Sequence, residues 1–231
     1  MWGCRRLIIT IDGPAGAGKS TAAKGLAKAL GYRYLDSGAL YRAVAWEALR
    51  RRLDMENSEA WEDFLQGFKP EIVLAEADLK LYLDGQEVSR ELRTPEVSRA
   101  ASRVAAVPQV RQWVNACLRR LAPDRGVVAE GRDLGSVVFP DAEVKFFLTA
   151  DLATRATRRR REWQNANLTV DLEKTIQELV SRDRQDETRA AAPLRVPEGA
   201  VCLDTTTLSP EEVVNTCLAE VREALTRPGQ S

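Results

Sequence analysis

Five short runs rich in apolar, aromatic or β-branched residues punctuate the chain, at Ile8–Asp12, 32–36, 126–130, Val144–Thr149 and 200–204. Between them apolar positions recur every three or four residues. Unbroken apolar runs suit strands buried on both faces, and the wider spacing lays one apolar stripe along a helix. The alternation predicts β-α-β units and hence a parallel sheet with helices packed against it. Helices are expected at about 21–30, stopped by Gly31, then from 38 to 52, 55–66, 95–107, 109–121, from Asp151 onward, 171–181, and from Pro210. The last has a capping box, with Ser209 before Pro210 and Glu212 at the third helical position. One region breaks the rhythm. Residues 71–74 and 79–88 alternate apolar with polar around Asp84-Gly85, a strong hairpin turn, so an antiparallel element is inserted there.

The first run leads into Gly13-Pro14-Ala15-Gly16-Ala17-Gly18-Lys19-Ser20-Thr21, which has the spacing G-x-x-x-x-G-K-[ST] between a strand and a helix. The glycines let the main chain approach an oxygen-rich ligand, so that successive N–H groups form an anion nest at the positive end of the following helix. Lys19 can reach β and γ phosphates, and the Ser20 hydroxyl is placed for a bridging Mg²⁺. The stretch reads as a phosphate-binding loop whose natural ligand is a nucleoside triphosphate.

Composition narrows the chemistry. Lys plus Arg equals Asp plus Glu at 34 each, so the charge balance gives no pull toward nucleic acid or an anionic membrane. Of the basic residues 27 are Arg and 7 are Lys, a bias toward bidentate grip on phosphate or carboxylate. Histidine is absent, and Cys4, Cys117, Cys202 and Cys217 are widely spaced. A Cys/His zinc site, a histidine-based triad and a disulfide framework are therefore not expected. Without a leader or a membrane-length apolar run, the expected location is cytoplasmic.

Polar clusters follow several of the strands, at the edge where open α/β sheets bind ligands. Ser37 suits either a plain N-cap or a ligand contact. Arg132-Asp133, between Gly131 and Gly135, suits a surface pair or a ligand contact. Arg155 and Arg158 to Arg161 suit a solvated face or a mobile cationic lid, with a polar 164–167 stretch after them. Arg182, Asp186 and Arg189 share one helix face, a spacing that intrahelical ion pairs would also satisfy. A triphosphate loop with separate arginine clusters and no histidine or nucleophilic cysteine suits phosphoryl transfer, which positioning and charge neutralisation can carry.

Four segments together resemble the bacterial cytidylate kinases, within the nucleoside monophosphate kinases. They are Ile11 to Ser20; Leu35-Asp36-Ser37-Gly38-Ala39-Leu40-Tyr41-Arg42; Glu130-Gly131-Arg132-Asp133-Leu134-Gly135-Ser136-Val137-Val138-Phe139-Pro140-Asp141-Ala142; and Arg182-Asp183 with Arg189-Ala190-Ala191-Ala192-Pro193-Leu194. The resemblance implies a P-loop NTPase fold with a five-stranded parallel sheet of order 2-3-1-4-5. It also implies a core of 1–36, 108–154 and 171–231, a monophosphate-binding region 37–107 with its β insertion at about 68–92, and a lid at about 155–170. It implies transfer of the γ-phosphoryl group of ATP, with Mg²⁺, to CMP or dCMP by a monomer. Gly13, Pro14, Ala15, Gly16, Ala17, Gly18, Lys19, Ser20 and Thr21 would then bind ATP. Ser37, Arg111, Asp133 and Arg189 would read the cytosine, Arg42 and Arg132 would hold the acceptor phosphate, and Ser102, Arg182 and Asp186 would meet the ribose. Lys19, Arg132 and the lid residues Arg155 and Arg159 would act on the transferred group. Many relatives have Gly-Lys-Gly-Thr where this chain has Gly18-Lys19-Ser20-Thr21, which keeps a hydroxyl available to the metal.

Overall fold

A computed structural model describes residues 6–74, 78–89, 91–165 and 170–226. Cys4 and residues 166–169 of the expected lid tip lie outside them. Five strands, β1 (Ile8–Asp12), β2 (Arg33–Asp36), β6 (Val127–Glu130), β7 (Val144–Thr149) and β8 (Val201–Asp204), form a sheet of order β2-β6-β1-β7-β8 in which every neighbour is parallel. Counted along the chain among these five alone, the order is 2-3-1-4-5. The central strands β1 and β6 are almost wholly buried, which is why their sequences are unbroken apolar runs. The edge strand β8 alternates between half-buried and exposed.

Helix α1 (Lys19–Leu30) leaves the phosphate loop and ends at Gly31, whose left-handed conformation turns its N–H back to the carbonyls of Ala27 and Lys28. Helix α2 (Ser37–Arg50) follows β2, and α3 (Ser58–Gly67) starts later than the pattern suggests because Asn57 accepts from the Glu59 and Ala60 amides. The insertion is a second sheet of three antiparallel strands, β3 (Glu71–Leu74), β4 (Leu79–Leu83) and β5 (Gln86–Glu87), with Asp84 and Gly85 both at positive φ in the β4–β5 turn. Helix α4 (Pro95–Val104) stops short of 107, and Pro108 opens α5 (Pro108–Leu121) rather than breaking it, its missing N–H being harmless in a first turn. After β6 comes a π-helical turn, Leu134–Val138, and the chain closes with α6 (Leu152–Asn165), α7 (Leu172–Thr188) and α8 (Pro210–Thr226). The capping box before α8 forms in both directions between Ser209 and Glu212.

One large core joins the main sheet, α1, α2, α5, α8 and the inserted sheet. The α6–α7 pair belongs to a separate small cluster in which Ala156 and Leu179, with Leu152 and Ile176, pack against Ala15 of the phosphate loop. That arrangement stacks the two arginine-rich helices directly on the loop.

Candidate active site

The phosphate loop is built by steric necessity. A Cβ at Gly13 (φ 142°) would lie 2.0 Å from the Leu148 carbonyl oxygen, and one at Gly16 (φ 78°) would lie 2.8 Å from that of Arg155. Gly18 is the N-cap residue of α1, so the loop's last amides open at the positive end of that helix. Lys19 is buried, and its Nζ folds back to donate to the Pro14 carbonyl at 2.6 Å. Burial, reinforced by Arg132, pulls its ammonium down to about 7. Ser20 and Thr21 are exposed on the first turn of α1.

Beside the loop stand carboxylates that close the strands. Glu130, at the end of β6, accepts from Ser20 Oγ at 2.9 Å and from the Tyr34 hydroxyl. Burial and then Asp36 push Glu130 above the usual carboxylate range. Ser37 Oγ donates to the Glu130 carbonyl at 2.9 Å, while the N-cap of α2 is Asp36, which accepts from the Ala39 amide. The capping reading of Ser37 therefore gives way: Asp36 takes that position, and Ser37 faces the β6 end.

The expected acceptor residues meet on the other side of this edge. Arg132 and Asp133 do not pair with each other. Arg132 Nε donates to Asp186 at 2.8 Å, and Asp133 is gripped by Arg111 on one oxygen and by Arg189, at 3.3 Å, on the other. The Asp133, Arg111 and Arg189 side chains are nearly inaccessible to solvent. Asp186 pairs with Arg132 through one oxygen and, at 3.8 Å, with Arg189 through the other, so the intrahelical pair that the spacing allows is present alongside the contact to Arg132. Arg42 donates to Asp36 at 2.8 Å. Two guanidinium nitrogens here, Arg42 Nε and Arg182 Nε, are buried with no partner. Burial and then Arg132 pull Arg182 down to about 9. Buried donors without acceptors are costly, and both nitrogens have capacity to donate to an incoming oxygen. Ser102 stands at the margin, its hydroxyl 3.5 Å from the Ser98 carbonyl one turn earlier.

The arginine run is sorted by packing. Arg155 is buried and donates to the carbonyls of Ala150 at 3.1 Å and Ala15 at 3.3 Å, and to Asp183 at 2.6 Å. It is neither on a solvated face nor free on an open lid. Arg158 donates to the hydroxyl and carbonyl of Thr205, and the Thr205 hydroxyl donates in turn to the Ala17 carbonyl at 3.0 Å. Arg159 stacks over Trp163, pairs with Glu162 and donates to Ser98 of α4 at 3.2 Å. It bridges α6 to α4.

Sequence reasoning passed over Asp12, Tyr34, Asp36, Asp183 and Thr205 as site residues, and took Glu130 only as the end of a strand. The available signal was a charged residue closing an otherwise apolar run, as in Asp12, Asp36 and Glu130. Among the described residues no group of three or more His, Cys, Asp or Glu is arranged to hold a metal by itself, and no helix is long and apolar enough to cross a membrane.

A family model described as cytidylate kinase matches residues 9–223. The chain is 44% identical over 215 residues to the cytidylate kinase of Caldanaerobacter subterraneus subsp. tengcongensis, with 93% of this chain and 94% of that relative covered. It is 45% identical over 221 residues to the cytidylate kinase of Klebsiella pneumoniae, with 94% and 96% covered. Among solved structures it is similar to a shikimate kinase from Acinetobacter baumannii at 15% identity and a TM-score of 0.46, over 96% of each chain.

Proposed function

The chain belongs to the cytidylate kinase family, and we infer from that premise that it transfers the γ-phosphoryl group of ATP to CMP or dCMP, giving ADP and CDP or dCDP in pyrimidine nucleotide metabolism. The observation that carries this reading is the buried Asp133 carboxylate held from two sides by Arg111 and Arg189. Each oxygen keeps acceptor capacity beyond its guanidinium partner, and cytosine offers a 4-amino donor where uracil offers a carbonyl. A fixed carboxylate therefore favours cytosine and repels uracil. Ser37 completes the base site. Arg42 and Arg132 hold the acceptor phosphate, and Ser102, Arg182 and Asp186 meet the ribose.

On the donor side, residues 13–21 cradle the triphosphate, with Lys19 leaving the Pro14 carbonyl to follow the migrating group. The hydroxyl of Ser20 and the carboxylate of Glu130, 2.9 Å apart, are hard oxygen donors that suit Mg²⁺ and would hold it. When bound, the ion supplies neutralisation of the phosphate oxygens. Transfer is direct and in line, with no covalent intermediate. The fold divides by role into the sheet core, a monophosphate-binding region 37–107 that carries the inserted sheet, and a lid within 155–170. Arg159 is the lid arginine that reaches across the cleft. Arg155 supports the loop from beneath, and its contribution to catalysis passes through Ala15.

A coupled ADP-release assay across CMP, dCMP, UMP, AMP and GMP tests the assignment. Turnover should be fastest with the cytosine nucleotides. Preference for a purine acceptor, or ATP consumption without an acceptor, would overturn it.

A further inference from the structure

Asp12 has no part in the roles just assigned, yet it touches both halves of the site. It ends β1 immediately before Gly13 opens the phosphate loop, and it is fully buried. Its two oxygens accept from consecutive backbone amides, Leu134 at 2.9 Å and Gly135 at 2.8 Å. Those amides begin the π-helical turn Leu134–Val138, and the residue leading into it is Asp133. The far end of the turn is held by Arg119, which donates to the Val137 and Val138 carbonyls at 2.9 and 3.1 Å. The turn presses closely on β1, since a Cβ at Gly135 would lie 2.8 Å from Thr10 Oγ1. The backbone carrying Asp133 is thus pinned at its start by one side chain that grows from the donor loop.

A carboxylate is a costly choice in this place. Burial pushes Asp12 up to about 6 even though both amides and Lys19 favour its charged form. What it offers in return is two acceptors on one rigid plane for two adjacent N–H groups. An amide of the same shape has one acceptor and would turn an NH₂ toward the second N–H.

We propose that Asp12 is a positioning residue for acceptor-base selection: it locks the Leu134–Val138 turn so that Asp133 meets the cytosine, and it sets that geometry from the end of the strand that also carries the phosphate loop. This rests on the reading in which Asp133 recognises the base.

The test compares Asp12→Asn, Asp133→Asn and the double variant by kcat/KM with CMP and with UMP, alongside calorimetric ATP affinity without acceptor. Asp133→Asn alone must lower the CMP over UMP ratio, and if it does not, the base-site reading fails. Given that it does, Asp12→Asn should lower the same ratio by about 5- to 10-fold. ATP affinity should stay within about twofold, and in the double variant Asp12→Asn should add nothing further to the loss of discrimination. Unchanged discrimination in a less stable Asp12→Asn protein would reduce Asp12 to a core residue and overturn the inference. So would a fall in ATP affinity with discrimination intact, or additive losses in the double variant. Should Asp12→Asn not fold, Asp12→Glu keeps both acceptors but displaces the turn, and it should show the same selective loss. If neither variant folds, Asp12 is a residue of stability alone and the inference is overturned.

Discussion

Removing Arg155 should cost folding stability before it costs chemistry. The guanidinium makes three hydrogen bonds, to Ala150, Ala15 and Asp183, and ties the phosphate loop to both α6 and α7. Arg155→Ala leaves the Asp183 carboxylate stranded, and its Oδ1 already lacks a partner. Breaking one side of a buried ion pair costs ~3–5 kcal/mol, and the residual side-chain exposures of 10% and 16% place this pair at the lower end. A loss of about 3 kcal/mol in a chain of this size lowers the melting temperature by about 6–12 °C. Asp183→Asn should cost less, because Arg155 keeps two carbonyl acceptors. Combining the two substitutions should cost less than the sum of the two single effects, because the uncompensated carboxylate is gone. Calorimetric melting of the three variants, with turnover measured well below each midpoint, separates brace from catalyst. An Arg155→Ala protein that melts within about 2 °C of the parent while its turnover collapses would refute this reasoning, and would return Arg155 to the cationic lid that the arginine run suggests.

Lys19→Ala should fold normally and lose at least ~10²-fold in ADP formation, and normal turnover would remove the phosphate loop from the reaction. Arg42→Ala or Arg132→Ala should weaken CMP binding in the absence of ATP by ~1.5–3 kcal/mol in calorimetry, and unchanged affinity would place the acceptor phosphate elsewhere. Arg159→Ala should leave that binary affinity nearly intact and lower the maximal rate, because its crossing to Ser98 matters when the cleft is closed. Asp12 gives a pH signature. Its folded value of about 6 lies above the ordinary 3.8, so between those two the native state holds a proton that the unfolded chain has released, and this contribution to stability falls as pH rises. Asp12→Asn lacks that dependence, so urea unfolding should show the parent gaining on the variant by up to about 3 kcal/mol as pH drops through that window, and a flat difference would contradict it.

The parallel sheet was legible because its central strands are buried on both faces, which forces unbroken apolar runs such as Ile8–Asp12 and Val127–Glu130. The loop was legible because its spacing encodes backbone geometry. The base-reading role of Ser37, Arg111, Asp133 and Arg189 came from a resemblance, and packing brings Arg111, Asp133 and Arg189 into contact. The fates of the arginines in α6 were not legible. Arg155, Arg158 and Arg159 read alike in sequence, and only the seating of α6 on Ala15, with Asp183 and Thr205 beside it, decides which is buried. The π-helical turn after Asp133 has no apolar period that would announce it, and so the contact between Asp12 and that turn was out of reach too.

The surplus of arginine over lysine also has a local reason. Arg182 is buried next to Arg132 with its Nε unbonded, and Arg42 has an unbonded Nε as well. Acceptor oxygens would satisfy these donors and relieve the repulsion between the two guanidinium groups. Such a site works only if its cations survive burial. Arg182 remains at about 9, charged at neutral pH, whereas Lys19, buried likewise, falls to about 7. A lysine at position 182 starts from a lower intrinsic value, so the same burial and repulsion would bring it closer to losing its charge at neutral pH. On the role proposed for it, Lys19 can tolerate that fall because its task begins once a triphosphate is bound, when the added negative charge raises its proton affinity again. On the roles proposed above, the cation that must stay charged beside the acceptor is an arginine, and the cation that follows a moving phosphoryl group is a lysine.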